Sequence, residues 1–301
     1  MRLSTCLRLS AGFGLGVFAG ALTEASFGFV LREAEVEALP AGQKPLRVLH
    51  ISDIHLMTYQ RQKLRFLSRL QETKPDLVIN TGDNISSADS IEPLIDALGS
   101  LLDVPGGFVF GTNDKVKPEP LNPFKYLSGD SSSKSTKTRV PLPWRKLRGE
   151  LESRGWLDLD NAKGIVNAGG RKIELRGTAD AHANMDRYDL VAGPRGDSVD
   201  ASFAVTHAPY QRVLNAFAED DLDMIFAGHT HGGQVCLPVN RAIVANCDIP
   251  LAQASGLSEW SHCGHSLPLH VSAGLGTSPY APVRLFCRPE ATLLTLIAKK
   301  N

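Results

Sequence analysis

The sequence predicts an α/β fold, and three observations indicate this class. From residue 46 onward, short apolar runs rich in β-branched residues alternate with segments of helical periodicity. The strand–helix–strand spacing in this part of the chain is typical of parallel strand pairing. Hydrophobic residues make up 43% of the 301 residues and charged residues 21%, as in an ordinary globular protein. This composition argues against general disorder and against a many-pass membrane protein.

The first part of the predicted domain contains three strands and two helices. The strands are residues 46–51, 76–81 and 107–110, and the helices are residues 60–73 and 90–102. The first helix places its leucines on one face, so we expect its basic residues, among them Lys63 and Arg65, to be solvated. Residues 115–140 then break the pattern, because prolines and a serine-rich stretch predict a long loop.

The second part is predicted to contain a helix, a hairpin and four strands. The helix covers residues 144–154, and residues 164–177 form a hairpin with Gly169 and Gly170 near its turn. The strands are residues 202–206, 223–227, 267–272 and 291–297. We therefore expect one folded domain over residues 41–301.

Residues 1–40 differ from the rest and predict a membrane-targeting segment followed by a linker. Arg2 and Arg8 precede an apolar run that only Glu24 interrupts. A single-pass signal anchor and a cleaved signal peptide both fit, and both place the domain outside the cytoplasm because the positive charges come first. The length of the run favours an anchor in the cell membrane, and secretion after cleavage is the alternative.

Charge and cysteine content limit the classes of partner. The chain has 32 basic and 32 acidic residues, so the basic surplus of a typical nucleic-acid-binding protein is absent and we expect no nucleic-acid partner. Four cysteines lie in the last third without a C-x-x-C pair, so no structural zinc site is predicted from their spacing. Disulfides and free thiols both remain open for them. These cysteines are Cys236, Cys247, Cys263 and Cys287. The histidines that flank Cys263, His262 and His265, are expected to be structural.

Polar residues follow five of the predicted strands. They are Asp53-Ile54-His55, Gly82-Asp83-Asn84, Gly111-Thr112-Asn113-Asp114, His207 and Gly228-His229-Thr230-His231-Gly232-Gly233. Open α/β sheets assemble ligand sites at the carboxyl ends of their strands, so we expect these side chains to meet. One such residue alone is usually structural, but five groups together are difficult to explain as helix caps. Seven carboxylate, imidazole and amide groups suit two divalent ions, and Mn, Fe, Zn and Ni all accept such ligands.

The order of these motifs resembles the calcineurin-like metallophosphoesterase family. The match runs through D-x-H, G-D-N, G-x-N, a single His and G-H-T-H-G-G, and it covers roughly residues 46–299. Residues 274–276 and 282–290 are similar to the bacterial membrane-anchored or exported branch. The resemblance implies an α/β sandwich of two central mixed sheets flanked by helices. It also implies a hydrolase of phosphoric ester or pyrophosphate bonds, in which a hydroxide that bridges two metal ions attacks phosphorus.

The resemblance assigns seven metal ligands by position. Asp53, His55 and His231 take the first ion, and Asn113, His207 and His229 take the second. Asp83 bridges the two ions. Asp83 and Asn113 thereby also belong to the implied catalytic residues, together with Asp114 and His182.

Asp114 departs from the family pattern, which commonly has a histidine that serves the leaving group. An aspartate beside two dications should be ionised at neutral pH, and it is then a poor proton donor. Three explanations remain open. The leaving group needs no proton, as with a phosphate in a pyrophosphate; another residue donates it, for which His182 is the candidate; or Asp114 orients a metal ligand.

The loop of residues 115–140 begins directly after Asp114, so we predict that it forms part of the substrate rim. Lys115, Lys117 and Lys125 would then attract an anionic substrate, and a solvated insertion is the alternative. The expected substrates are phosphodiesters or pyrophosphate-linked molecules, either small or lipid-linked. A phosphomonoesterase is one alternative function. A non-catalytic protein-binding scaffold is the other, although all seven ligand positions are filled.

Overall fold

Two six-stranded mixed sheets form the centre of the computed structural model, which describes residues 3–120, 139–239 and 241–300, with side chains from residue 14. The first sheet contains, in spatial order, β1 (Val30–Leu39), β14 (Glu290–Ala298), β2 (Leu46–Ile51), β3 (Leu77–Asn80), β4 (Gly106–Phe108) and β5 (Leu157–Asp158). The second contains β12 (Gly256–His262), β13 (His265–Val271), β9 (Met224–Ala227), β8 (Ala201–Thr206), β7 (Arg171–Thr178) and β6 (Ala162–Ala168). A short ribbon of β10 (Cys236–Leu237) and β11 (Arg241–Ala242) lies apart from both.

Parallel pairing at the centre of each sheet sets the position of the loops. Strands β2 to β5 are mutually parallel, and so are β13, β9, β8 and β7. Antiparallel pairs occur between β14 and β2 and in the two edge hairpins. The predicted hairpin turns at Gly169 and Gly170, whose positive φ values of 55° and 76° are readily adopted only by glycine. The loops that carry the polar motifs therefore all leave from carboxyl ends of strands.

The α-helices in the described ranges are α1 (Leu3–Phe27), α2 (Arg61–Arg69), α3 (Ile91–Leu98), α4 (Thr112–Lys115), α5 (Trp144–Ser153) and α6 (Gln211–Glu219). Of these, α2, α3 and α5 pack on the outer face of the first sheet, and α6 packs on the outer face of the second. The two long predicted helices end early, and each continues as a 3-10 turn. After α3 the reason is local, because Gly99 has a φ of 50° and leaves the helical region.

Alternation along the strands divides the apolar residues among the layers. In β2, Val48 faces the core between the two sheets, whereas Leu49 and Ile51 face α2 and α3. Val205 and Phe226 cover the opposite side of the central core. The molecule is thus a four-layer α/β/β/α sandwich, as the resemblance implied.

The N-terminal segment differs from its prediction. No helix in the described ranges is both long and apolar enough to cross a bilayer, so the predicted single-pass anchor in the cell membrane is wrong. Helix α1 is long, but glycine, serine and threonine residues dilute its apolar character and Glu24 adds a charge near its end. That carboxylate accepts the backbone N–H of Cys287 at 2.7 Å, which ties the end of α1 to the domain.

The segment predicted as a linker contributes an edge strand. Strand β1 pairs in parallel with β14 from Val30 to Leu39, with one irregularity near its end. Ala38 and Leu39 are completely buried in the core between the sheets. Residues before 41 therefore belong to the first sheet.

Candidate metal centre

The polar motifs meet where the carboxyl ends of the two sheets face each other. Asp53 and His55 follow β2, Asp83 follows β3, and Asn113 lies in α4 after β4. From the second sheet, His207 follows β8, and the loop after β9 carries the remaining two histidines, His229 and His231. All seven predicted ligands thus lie in one region, and four come from one sheet and three from the other.

Five of these residues have left-handed backbone conformations, which non-glycine residues rarely adopt. They are Asp53, His55, Asp83, His229 and His231, with φ between 44° and 68°. Each such residue costs about 1 kcal/mol or more, so the surrounding structure must hold it in place. Concentration of this strain in one cluster is typical of a functional site.

Asp53, His55 and His231 form the first group of donor atoms. The Nε2 atoms of His55 and His231 are 3.3 Å apart, and His231 Nε2 lies 3.6 Å from Asp53 Oδ1. Asp53 Oδ1 is buried and has no hydrogen-bond partner. Three donor atoms that face one point, one of them an orphaned carboxylate oxygen, fit a divalent cation.

The second group contains Asp83, Asn113, His207 and His229. Asp83 Oδ2 lies 3.5 Å from His55 Nε2 and 3.6 Å from His207 Nε2, so it stands between the two groups. His229 Nδ1 is 3.3 Å from His207 Nε2. The amide nitrogen of Asn113 donates to Asp83 at 2.6 Å, and a half-turn of this amide would place its oxygen there instead. These donors suit a second cation beside the first.

Backbone carbonyl groups select the ring nitrogens that face the centre. His207 Nδ1 donates to the carbonyl oxygen of Thr81 at 2.7 Å, and His231 Nδ1 donates to that of Gly276 at 3.0 Å. In the neutral form of each ring Nε2 is then the nitrogen with a free lone pair. Both rings are therefore oriented for metal ligation.

Burial and neighbouring charges shift the protonation of the ligands. Burial lowers the pKa of His229 to about 3 and that of His231 to about 4, so both rings are neutral at pH 7. Burial also opposes charge on His207, but the carboxylates of Asp83 and Asp180 outweigh it and raise the pKa of His207 to about 9. Burial raises the pKa of Asp83 to about 6 against the opposing effect of His207. A divalent cation would compete with the proton held between these two residues.

Asp114 is completely buried and faces the backbone. Its carboxylate accepts the N–H groups of Asp83 at 2.7 Å and Asn84 at 2.6 Å, and a third from Gly111 at 3.2 Å. Burial and the Asp83 carboxylate raise the pKa of Asp114 to about 7, while the donors of Asn84 and Gly111 oppose that rise. The side chain thus holds the Asp83 loop in its left-handed conformation.

His182 lies beside the second group of donors, although it is distant in sequence. Its ring centroid is 4.5 Å from that of His229, and its Nδ1 is 3.0 Å from the hydroxyl of Tyr210. Burial lowers the pKa of His182, and the carboxylate of Asp180 opposes this. Asp180 is itself buried and accepts both the backbone and the hydroxyl hydrogens of Thr112.

Sequence reasoning missed a chain of buried hydrogen bonds behind Asp53. Asp53 Oδ2 accepts from Ser52 at 2.5 Å, Ser52 accepts from Thr81 at 2.6 Å, and Thr81 contacts His50 at 3.0 Å. His50 in turn lies 2.7 Å from the ring nitrogen of His270. The sequence signal for this chain was one histidine inside each of two apolar strands, His50 in β2 and His270 in β13.

Lys63 and Arg284 also support the ligand loops, and the solvated position expected for Lys63 is wrong. Lys63 is 3% exposed and donates to the carbonyl oxygen of Ile54 at 2.6 Å, between two ligands. Arg284 is fully buried and donates to the carbonyl oxygens of Ala273 and Gly276. The stem of Lys63 lies on the apolar face of α2, which helical spacing alone does not reveal.

Two glycines leave room for ligand carboxylates. A Cβ atom on Gly111 would lie 2.0 Å from Asp83 Oδ1, and one on Gly228 would lie 2.6 Å from Asp53 Oδ2. Neither position tolerates a side chain without displacement of a ligand. The glycines in these motifs therefore permit close packing around the candidate metal ligands.

Most of the predicted rim loop, including Lys125, lies outside the described residues. Of the remainder, Lys115 forms an ion pair with Asp160 at 2.9 Å and lies above the ring of Trp144. Its charge is therefore partly neutralised by the protein.

Sequence comparisons with known proteins identify the family of the chain. The family model described as calcineurin-like phosphoesterase matches residues 46–233, more than half of the chain. The chain is 24% identical over 263 residues to the uncharacterized metallophosphoesterase YkoQ of Bacillus subtilis, with 85% of each chain covered. It is also 24% identical over 258 residues to the phosphodiesterase YaeI of Escherichia coli, with 84% of this chain and 83% of the relative covered.

A solved structure of TT1561 from Thermus thermophilus aligns with a TM-score of 0.41 and 10% identity, over 77% of this chain and 91% of that one. The protein therefore belongs to the calcineurin-like phosphoesterase family and is a metallophosphoesterase.

Proposed function

We propose that this metallophosphoesterase is a dinuclear enzyme that cleaves phosphodiesters or pyrophosphate-linked substrates, small or lipid-linked. The observation that carries the proposal is the convergence of two donor groups on Asp83, which lies within 3.6 Å of a histidine from each group. A single ion cannot use all seven donors in ordinary coordination, whereas two ions would share Asp83. Two bound ions would supply an activated water and charge stabilisation for the phosphoryl oxygens.

Protein residues would position and shield the reaction. His207 and His231 are locked by backbone carbonyl groups, and Asp53 is held by Ser52. Asp114 has its carboxylate occupied by backbone donors, so it positions Asp83 rather than donating a proton. Among the three explanations for Asp114, the geometry favours this positioning role.

The position of Asp114 favours pyrophosphate-linked substrates, whereas alkyl phosphodiesters require another proton donor. An alkoxide leaving group benefits from a proton donor, whereas a phosphate leaving group or an aryl oxide depends on one much less. His182 is the described residue best placed to donate, since it adjoins His229 and bonds to Tyr210. The E. coli relative that bears the name phosphodiesterase is consistent with diester cleavage.

The test compares a chromogenic phosphodiester with the matching monoester, using the full chain and Mn²⁺. We expect faster diester cleavage and a loss of roughly 10²-fold or more in Asp83→Asn. Asp89→Asn is the matched control, because it makes the same chemical change on an exposed turn. Metal analysis should find two ions per chain in the wild type.

Each other outcome would change one part of the proposal. A preference for the monoester would overturn the substrate class and leave a phosphomonoesterase. One ion per chain at saturation would overturn the dinuclear centre. Metal binding without hydrolysis of diester, monoester or pyrophosphate substrates would favour the protein-binding scaffold.

A further inference from the structure

A second cluster of metal-ligating side chains lies at the other end of the second sheet. It joins Glu219, the last residue of α6, to His262 and Cys263 at the tip of the β12–β13 hairpin. Strand β13 runs from this tip to Val271, and the chain continues to Gly274, where a Cβ atom would contact Asp53. Seven residues of strand span about 20 Å, so the cluster is separate from the metal centre described above.

The three side chains converge on one point. His262 Nε2 lies 3.2 Å from Glu219 Oε1 and 3.3 Å from Cys263 Sγ. Tetrahedral zinc with ordinary bond lengths holds a nitrogen about 3.4 Å from an oxygen ligand and about 3.6 Å from a sulfur ligand. The observed separations are within a few tenths of an ångström of these values, so an ion would fit with a small adjustment.

We propose that Glu219, His262 and Cys263 form a separate site for a soft divalent cation, Zn²⁺. The thiolate and imidazole select zinc over the oxygen-preferring Mg²⁺ and Mn²⁺, and the carboxylate completes a three-ligand set. His265 pairs with His262 across the hairpin, so it is a candidate for the fourth ligand. Water is the alternative fourth ligand.

Location and exposure suit metal binding here. Cys263 is exposed and His262 is partly exposed, so an ion reaches the ligands without opening of the fold. Binding would link the hairpin tip to the carboxyl end of α6, two elements that also pack through Trp260 and Asn215. Zinc at this position would thus strengthen an outer edge of the second sheet.

Cobalt spectroscopy tests the site independently of any hydrolase activity. The full chain is first saturated with Mn²⁺ under reducing conditions and is then titrated with Co²⁺. A thiolate ligand gives Co²⁺ a strong near-ultraviolet charge-transfer band, and the ligands of the other centre contain no sulfur. We expect this band to saturate at about one equivalent and to disappear when Zn²⁺ displaces the cobalt.

Variants locate the band on the proposed ligands. Cys263→Ser should abolish it, and His262→Ala should weaken cobalt affinity by roughly tenfold or more. Cys247→Ser is the matched control and should retain the band. No band in the wild type, or an unchanged band in Cys263→Ser, would overturn the site. A band that forms only together with a dimer would overturn a site within one chain.

Discussion

Individual side chains at the centre have distinct tasks that residue type alone does not reveal. Asp53 and Asp114 are both buried aspartates that follow strands, yet Asp53 keeps one oxygen without a partner while Asp114 uses its carboxylate on backbone N–H groups. An orphaned buried oxygen is costly unless a cation occupies it. A carboxylate with several backbone donors is instead a structural anchor. The hydrogen bonds of each carboxylate therefore distinguish the candidate ligand Asp53 from the positioning residue Asp114.

His182 provides a prediction about the leaving group. If it donates the proton, His182→Ala should slow cleavage of an alkyl phosphodiester by about 10²-fold but barely change cleavage of a nitrophenyl diester. The reason is that a nitrophenolate departs without protonation. Steady-state kinetics on the two substrates measure the difference between the two rate losses, with Ile165→Ala as the control because that side chain is exposed on the edge strand β6. Equal losses on both substrates would exclude proton donation and indicate a structural role.

Arg176 provides a prediction about stability. It is fully buried and forms ion pairs with Glu174 at 2.6 Å and Asp220 at 2.7 Å. Arg176→Gln leaves both carboxylates without their charge partner, so we expect a loss of about 3–5 kcal/mol in the free energy of unfolding. Arg187→Gln removes an exposed ion pair with Asp189 and should cost less than about 1 kcal/mol. Urea unfolding at pH 7 measures both, and equal costs would contradict the argument.

The pH dependence of that loss has a definite sign. Burial opposes ionisation of Glu174, but hydrogen bonds from Arg176 and Ser202 prevail and lower its pKa below the usual 4.5. A lowered folded-state pKa contributes stability that is complete above the unfolded-state value and is lost as the pH falls through the folded-state value. The difference in the free energy of unfolding between the wild type and Arg176→Gln should therefore become smaller below about pH 4.5. If this difference became larger in acid, a group other than Glu174 would control the pH dependence of stability.

At the scale of elements, the positions of the candidate ligands depend on the loops after the parallel strands. They also depend on the neighbouring strands that hold those strands in the sheet. Strand β14 lies between β1 and β2, so β1 protects an edge that leads directly to the strand carrying Asp53 and His55. Leu39 is completely buried, and burial of this one leucine side chain is worth about 1.5–3 kcal/mol. The first sheet therefore needs residues 30–39 for its stability.

Two truncations test the role of β1. Deletion of residues 1–27 removes α1 and keeps β1, whereas deletion of residues 1–40 removes both. We expect the shorter chain to unfold at least about 2 kcal/mol more easily and to aggregate through the exposed edge of β14. Because both chains lack the contact of Glu24 with Cys287, the comparison isolates β1. Equal stability of the two chains would contradict the assignment of β1 to the core.

At the scale of the whole molecule, the centre joins two sheets that otherwise meet through an apolar core. Asp53, His55, Asp83 and Asn113 come from the first sheet, and the remaining ligands come from the second. Bound ions would therefore cross-link the two halves of the sandwich. Ligand binding of this kind stabilises only the folded state, because the donors are dispersed in the unfolded chain.

Thermal unfolding tests this cross-link. Mn²⁺ at 100 times its dissociation constant should add about 2.7 kcal/mol per site, and each kcal/mol raises the Tm of a chain this large by about 2–4 °C. Asp53→Asn should lose much of the increase, whereas Asp89→Asn should keep it. A Tm that does not respond to Mn²⁺ or to a chelator would show that the ions do not bridge the sheets.

Much of the fold and most of the candidate ligand set were predictable from local sequence. The apolar run of residues 46–51 and the glycine pair at 169–170 indicate a strand and a turn within a few residues. The motifs after each strand were also recognisable from local sequence, because the ability to bind a metal is a property of residue type. Strand β1 was missed, since acidic residues alternate along it and its partner lies some 260 residues away.

The sequence by itself determined the fold class and the family and predicted seven candidate donor residues, because periodicity and residue chemistry are local properties. Only the tertiary structure decided that Asp114 faces the backbone, that Lys63 is buried and that His182 adjoins His229. It also showed that α1 is not a membrane span and that β1 completes the first sheet. These features depend on contacts between segments far apart in the chain, and no local pattern specifies which of those contacts form.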